Sequence, residues 1–435
     1  MAGILALCMP AMAVCADSDF ASAYGWSAPV NGLTSSETGS APVGYLWLPD
    51  STAQVKAVMF AFQNMNEETL FRSDKFRQRM AAADVALLWI APGFGQEWDV
   101  TTGVQEAFDG LLHDLASTSG HTELTTAPLI PFGHSAQATM PWNFAAWNPD
   151  RTLCVISYHG DAPRTNLCGY GRSNVEWGRT RNIDGIPSLM VMGEYEWWDA
   201  RLRPALAFRM MYPESCISFL GDAGRGHFDL SDRTADYMAL FIEKALDRRL
   251  TDRGLVRLDP QKGWMAETWE PGSTTRETAA PWADYRGCRH EGFWYFDGEM
   301  ARLTEDRYRE TAGKRPSWIG YVGNDGKLLH YNPDGHCKIN TSITPGPDGV
   351  FTMKAIFTDS LRTCASSTAD SRPIRIRYVS GPAVTINDST FRVDPTHPTW
   401  TNNRRRGKIT LCAEAPADSI YKETVQEIEV NISHN

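Results

Sequence analysis

Between residues 40 and 250 the chain alternates short, almost wholly apolar runs with longer amphipathic stretches, and nothing else in it restricts the fold as tightly. A strand that is apolar on both faces must be covered on both, as happens in parallel sheets whose crossover helices lie above and below. The strand-like runs fall at 44–48, 57–63, 85–91, 129–132, 153–158, 188–192 and 217–220. Amphipathic periodicity between them predicts helices at 71–82, 103–116, 138–146 and 232–247. After residue 249 turn-rich segments and alternating strands take over, at 351–357, 374–379, 390–393, 408–412 and 425–432, with a helical insertion over 291–313. A chain of 435 residues exceeds what one core usually holds. The expected organisation is therefore an α/β three-layer sandwich with a mostly parallel sheet over 17–250, and a β-rich, sandwich-like accessory domain over 255–435.

The first sixteen residues, MAGILALCMPAMAVCA, form an apolar run too short to span a bilayer and end in small residues suited to signal peptidase. They read as a signal peptide, although no Lys or Arg precedes the apolar stretch, and imply a secreted or periplasmic protein. Neither Cys8 nor Cys15 follows the small residue that a lipoprotein signal wants, so lipid anchoring fits less well. No other segment is apolar and long enough to cross a membrane. With 42 basic against 52 acidic residues the formal net charge is −10, which argues against a nucleic-acid or anionic-membrane partner. The run Arg404-Arg405-Arg406 could attract an anionic glycan, but a charge run between strands is more often a solvated turn. Cys288, His290, His336 and Cys337 lack the two-residue spacing of a zinc site, and no metal or cofactor is expected. The seven cysteines beyond the leader are an odd number with scattered spacing, so they define no disulfide framework.

The chemistry concentrates where the apolar run 129–132 leads into Gly133-His134-Ser135-Ala136 and then a helix that Pro141 is expected to interrupt early. A serine at a tight strand-to-helix corner is lifted above the sheet, where its hydroxyl can attack a carbonyl. This segment resembles the nucleophile elbow of α/β hydrolases, whose usual form is G-x-S-x-G, with Gln137 standing where the second glycine belongs. Gly224-Arg225-Gly226-His227 follows the last apolar run and precedes the closing helix, the place where this fold carries its catalytic histidine, so His227 is the expected general base. The acid should lie between serine and histidine in the chain. Glu196, on the turn after 188–192, occupies the matching position, with Glu194 and Asp161 as alternatives. Of the two oxyanion donors, one should be the amide of Ala136 and the other that of Gln63 or Asn64, after the 57–63 strand.

Gly-His-Ser-Ala-Gln-Ala, the helix beginning Pro-Trp-Asn-Phe, Tyr-His-Gly-Asp-Ala-Pro and Met-Gly-Glu-Tyr-Glu-Trp-Trp together look like secreted bacterial carbohydrate esterases, over residues 40 to 250. The resemblance implies methyl or acetyl esters on plant cell-wall polysaccharide, pectin included, as substrates, cleaved through an acyl-enzyme on Ser135. Trp197, Trp198, Arg225 and His159 are the expected substrate contacts, Arg225 toward a uronate carboxylate, whereas Trp142 and Trp147 read as core. A serine peptidase of the same fold, and a non-catalytic glycan-binding protein on a hydrolase scaffold, are the competing readings. A Ser135→Ala variant separates the second of these from an enzyme.

Overall fold

The structure is a computed structural model and describes residues 23–35, 38–49, 52–165, 173–197, 199–272, 277–329, 339–359, 370–401 and 406–433. The leader read as a signal peptide, Trp198, His336, Cys337, Arg404 and Arg405 lie outside them.

Eight strands build the main sheet: β1 (Trp26–Pro29), β2 (Val43–Trp47), β3 (Ala57–Phe62), β4 (Val85–Ala91), β5 (Leu129–His134), β6 (Val155–Tyr158), β7 (Pro187–Gly193) and β8 (Cys216–Asp222). They lie in the order β1-β2-β4-β3-β5-β6-β7-β8. All pairings from β4 to β8 are parallel, while β2 runs against both its neighbours. This is the α/β-hydrolase fold. Strands β3 to β8 are buried along their whole lengths, which is why they stand out as uninterrupted apolar runs. Strand β1, four residues at the sheet edge reading Trp-Ser-Ala-Pro, carries no such signal.

Two apolar layers flank the sheet. Met59 and Ala61 of β3 pack in one layer with α1 (Asn66–Arg72), α2 (Asp74–Ala82) and α6 (Asp232–Arg249). Val58, Phe60 and Phe62 alternate into the other, with α3 (Val104–Ser119) and one side of α4 (Met140–Trp147). The helix expected at 71–82 is two helices, because Ser73 leaves the helical conformation and caps α2 by accepting from the Phe76 amide. Pro141 does not interrupt α4; it lies in the helix's first turn, where its missing N–H costs nothing. Helix α5 (Asp199–Met211) was not expected, since Pro204 reads as a helix breaker.

The core of the sheet does not stop at α6. Strands Trp264–Glu267 and Gly292–Tyr295, helix α7 (Gly298–Arg309) and Trp269 just beyond the first strand add Met265, Trp269, Phe293, Trp294, Met300 and Tyr308 to the same apolar layer. The helical insertion read over 291–313 is thus a strand followed by a helix, packed on the hydrolase sheet. A separate core begins at Ile319 and runs to Ile432. Its strands form a four-stranded sheet of Ile339–Ile343, Thr424–Ser433, Arg406–Ala415 and Arg375–Ser380, with smaller sheets beside it. This is the β-rich domain, and Arg406 opens one of its longest strands. No helix among the described residues is long and apolar enough to cross a membrane.

Candidate active site

Ser135 directly follows β5 with φ of 55°, a left-handed conformation that costs a serine of order 1 kcal/mol or more. The surroundings enforce it. A Cβ on Gly133 would lie 2.1 Å from the Gln137 carbonyl oxygen, so the backbone can fold back on itself only at a glycine. Gln137 departs from the usual elbow pattern, and the space is recovered from the opposite side. A Cβ on Gly160, on the loop after β6, would stand 1.9 Å from Cβ of Ala138, and one on Gly93 would be 3.3 Å from Nε2 of Gln137. The buried Gln137 side chain is accommodated by Gly93 on a neighbouring loop, while Gly160 makes room for Ala138.

The Ser135 hydroxyl lies 2.7 Å from Nε2 of His227. His227 Nδ1 donates to Oε2 of Glu196 in a short hydrogen bond. These contacts fix the tautomer in which Nε2 can take the serine proton. Burial holds the imidazole below its ordinary pKa against the opposing pull of Glu196, so His227 is neutral at neutral pH. Burial alone would raise the Glu196 carboxyl. Electrostatic interaction and hydrogen bonding with His159 and His227 more than offset it, and Glu196 stays well below the usual carboxylate range. Its Oε1 accepts from the Gly193 amide at 3.0 Å and faces Nδ1 of His159 at 2.5 Å, while Oε2 is also 3.2 Å from Nη1 of Arg201.

The two alternative acids are occupied elsewhere. Glu194 accepts from the Gly224 amide at 2.8 Å and pairs with Lys422 at 2.5 Å. Asp161 pairs with Arg201 at 3.5 Å and is held above the usual carboxylate range by burial. Neither hydrogen-bonds His227, so Glu196 is the carboxylate that the fold delivers to it.

Ala136 directly follows Ser135 in a 3-10 turn, the position expected of an oxyanion donor. The Gln63 amide is not free for that task, because it donates to the Ile90 carbonyl at 2.7 Å and extends the sheet ladder by one residue. Asn64 lies against the elbow, its side-chain amide donating to the His134 carbonyl at 2.7 Å.

Of the expected substrate contacts, His159 is fully buried, with φ of 53°, and faces the triad carboxylate. Arg225 is 3% exposed, and its guanidinium pairs with Asp229 at 2.8 Å and with Glu423, so it is not available to a uronate. Trp197 is half-buried, packed edge-on against Phe219 and Trp269, and its indole donates to Asp199 at 3.1 Å. Trp142 is core, as read from the sequence, and Trp147 packs against both apolar layers from a half-buried position.

Three residues not singled out in the sequence complete the site. His134 is buried, which holds its pKa well below the ordinary value, and its Nε2 donates to the His227 carbonyl at 2.7 Å. Glu67 sits beneath the elbow, where its carboxylate accepts from the amides of Met65 at 2.6 Å and His134 at 2.8 Å. Burial pushes that carboxyl up to about 7. Arg201, in the first turn of α5, binds the acid and also donates to the His159 carbonyl at 3.2 Å. Only His134, adjacent to the nucleophile, gave a local signal in the sequence. Among the described residues His159, Glu196 and His227 bring possible metal-ligand atoms within 4.8 Å of one another, but these are the atoms the triad contacts already engage.

No protein-family model matches the chain, and no curated protein matches it. Among solved structures, the chain is similar to the dienelactone hydrolase of Anabaena variabilis, at 15% identity over 53% of this chain and 98% of that one, with a TM-score of 0.33. It is also similar to a soluble variant of the monoglyceride lipase of Saccharomyces cerevisiae, at 11% identity over 51% and 96%, with a TM-score of 0.33. A third, 2,6-dihydroxy-pseudo-oxynicotine hydrolase, matches at 16% identity over 53% and 70%, with a TM-score of 0.35.

Proposed function

We propose that this chain is a serine hydrolase that cleaves carboxylic esters. The observation that carries the reading is the unbroken line Ser135–His227–Glu196, with a 2.7 Å contact from the hydroxyl to a neutral imidazole. Ser135 Oγ attacks the ester carbonyl as its proton passes to Nε2 of His227, and Glu196 stabilises the imidazolium that forms. The oxyanion develops beside the amides of Ala136 and Asn64. His227 then returns the proton to the departing alcohol, and a water activated by the same imidazole releases the acid from Ser135. Both Ser135 and His227 are half-buried, open enough to meet a substrate and dry enough to strengthen these contacts.

The substrates proposed are methyl or acetyl esters on extracellular plant cell-wall polysaccharide such as pectin, met by a secreted or periplasmic enzyme. Sequence resemblance supports this choice, together with the half-buried Trp197, which directly follows Glu196 at the end of the acid-bearing turn. Measuring methanol and acetate released from pectins and acetylated xylans tests it. Release of one of the two that is lost in Ser135→Ala is expected; hydrolysis of a small chromogenic ester with release of neither would refute the polysaccharide assignment.

A further inference from the structure

The loop that carries His227 is held from both sides by the β-rich domain. Arg225 and Asp229 pair across the loop at 2.8 Å, closing a five-residue turn with His227 at its middle. Each end of that closure has a partner from the other domain. Glu423 binds the Arg225 guanidinium, and Nη2 of Arg377 reaches Asp229 at 3.3 Å. Between them Oε1 of Glu427 accepts from the Phe228 amide at 3.2 Å, one residue beyond His227. The acid turn is tied down in the same way, since Lys422 pairs with Glu194 at 2.5 Å and Glu194 in turn accepts from the Gly224 amide. The two turns also touch directly, with Tyr195 donating its amide to the Arg225 carbonyl at 2.9 Å.

The charges at the centre of this set are buried, Asp229 fully, Arg225 with 3% exposed and Glu427 with 8%, while Glu423 and Arg377 are half-buried. Buried charges in mutual contact are costly to separate, so they define one arrangement of the loop. Among the described residues of the hydrolase sheet, His134 restrains the histidine backbone directly, through the His227 carbonyl.

Resting on the triad reading above, we propose that the β-rich domain is a working part of the active site, in which Glu427, Glu423 and Arg377 are positioning residues that set the distance between His227 and Ser135. The domain would then be required for turnover of any ester, including a small one that no glycan-binding module could recognise. A misplacement of about 1 Å at a reacting group can cost about a hundredfold in rate.

The test uses the full chain and 4-nitrophenyl acetate. Glu427→Ala should lower kcat about tenfold to a hundredfold with KM within about twofold, and Glu427→Gln, which keeps an oxygen for the Phe228 amide, should recover most of the loss. The same order should hold for the rate of Ser135 labelling by a fluorophosphonate. If Glu427→Ala does not fold, Glu423→Gln is read by the same criteria. A folded Glu427→Ala with wild-type kcat, or equal losses in the Ala and Gln variants that follow their melting temperatures, would overturn the proposal. Ser135→Ala separates the two levels: if it abolishes hydrolysis while Glu427→Ala changes nothing, only the anchoring role falls, whereas if it leaves hydrolysis intact the triad itself falls.

Discussion

Replacing Gly160 by alanine perturbs the elbow from outside, without replacing any triad residue. The added methyl would stand 1.9 Å from Cβ of Ala138 and 3.3 Å from the carbonyl oxygen of Ser135. A normal methyl–methyl separation is roughly 3.5–4.0 Å, so the 3-10 turn behind the nucleophile must retreat by more than 1 Å or the β6 loop must. Forcing a methyl into a packed site costs about 1–3 kcal/mol, which lowers the melting temperature by several degrees. Retreat of the turn takes the Ser135 hydroxyl from its 2.7 Å contact with His227, and kcat should fall about a hundredfold. The compensating change is specific. Ala138→Gly removes the atom in conflict, so the double variant should regain most of the lost kcat, although Ala138→Gly alone is mildly harmful. Purified variants compared by thermal melting and steady-state ester hydrolysis give the answer. Wild-type kcat in Gly160→Ala, or a double variant no better than the single one, would refute the account of how the turn behind Ser135 is held in place.

Three further outcomes follow from the site. Glu196→Gln should lower kcat about a thousandfold to ten-thousandfold, because an amide cannot hold the imidazolium or its tautomer, whereas Glu194→Gln and Asp161→Asn should retain kcat within about tenfold; steady-state kinetics on the three variants decides it. The lowered pKa of His227 predicts that kcat/KM falls with acidification at a midpoint below the ordinary histidine value of 6.5 and is level between there and pH 8; a midpoint above 7 in the pH–rate profile would contradict it. Glu67 has a raised pKa, so the folded state holds its proton more tightly than the unfolded chain does, and stability is lost as pH rises from 4.5 to about 7. That shift corresponds to about 3 kcal/mol, and melting curves across this window should show a flatter pH dependence for Glu67→Gln than for the wild type.

Much of this site is written in local sequence. Ser135, His227 and Glu196 each follow the end of an apolar run, and buried parallel strands are the elements that sequence marks most plainly. Helix α5 and strand β1 escaped because an internal proline and a four-residue edge strand carry no periodic signal. The missed site contacts are of another kind. Glu67 reaches the His134 amide across 67 positions, and Glu427 reaches Phe228 across 199. No spacing rule relates such residues: Glu67 and His134 meet through packing within the hydrolase domain, and Glu427 and Phe228 through the packing of one domain on the other. Arg225 shows the converse error. Its place beside His227 in the chain was read as a place in the substrate site, but a side chain next to a catalytic residue can point the opposite way, and here it meets Asp229 and Glu423.

Reaction of the full chain with a fluorophosphonate, followed by mass spectrometric mapping of the modified peptide, tests the central claim most directly. A single adduct on Ser135, formed at a rate that collapses in His227→Ala, is the result expected. An adduct on another serine, or a Ser135 that stays unmodified while ester hydrolysis proceeds, would contradict the assignment of the nucleophile.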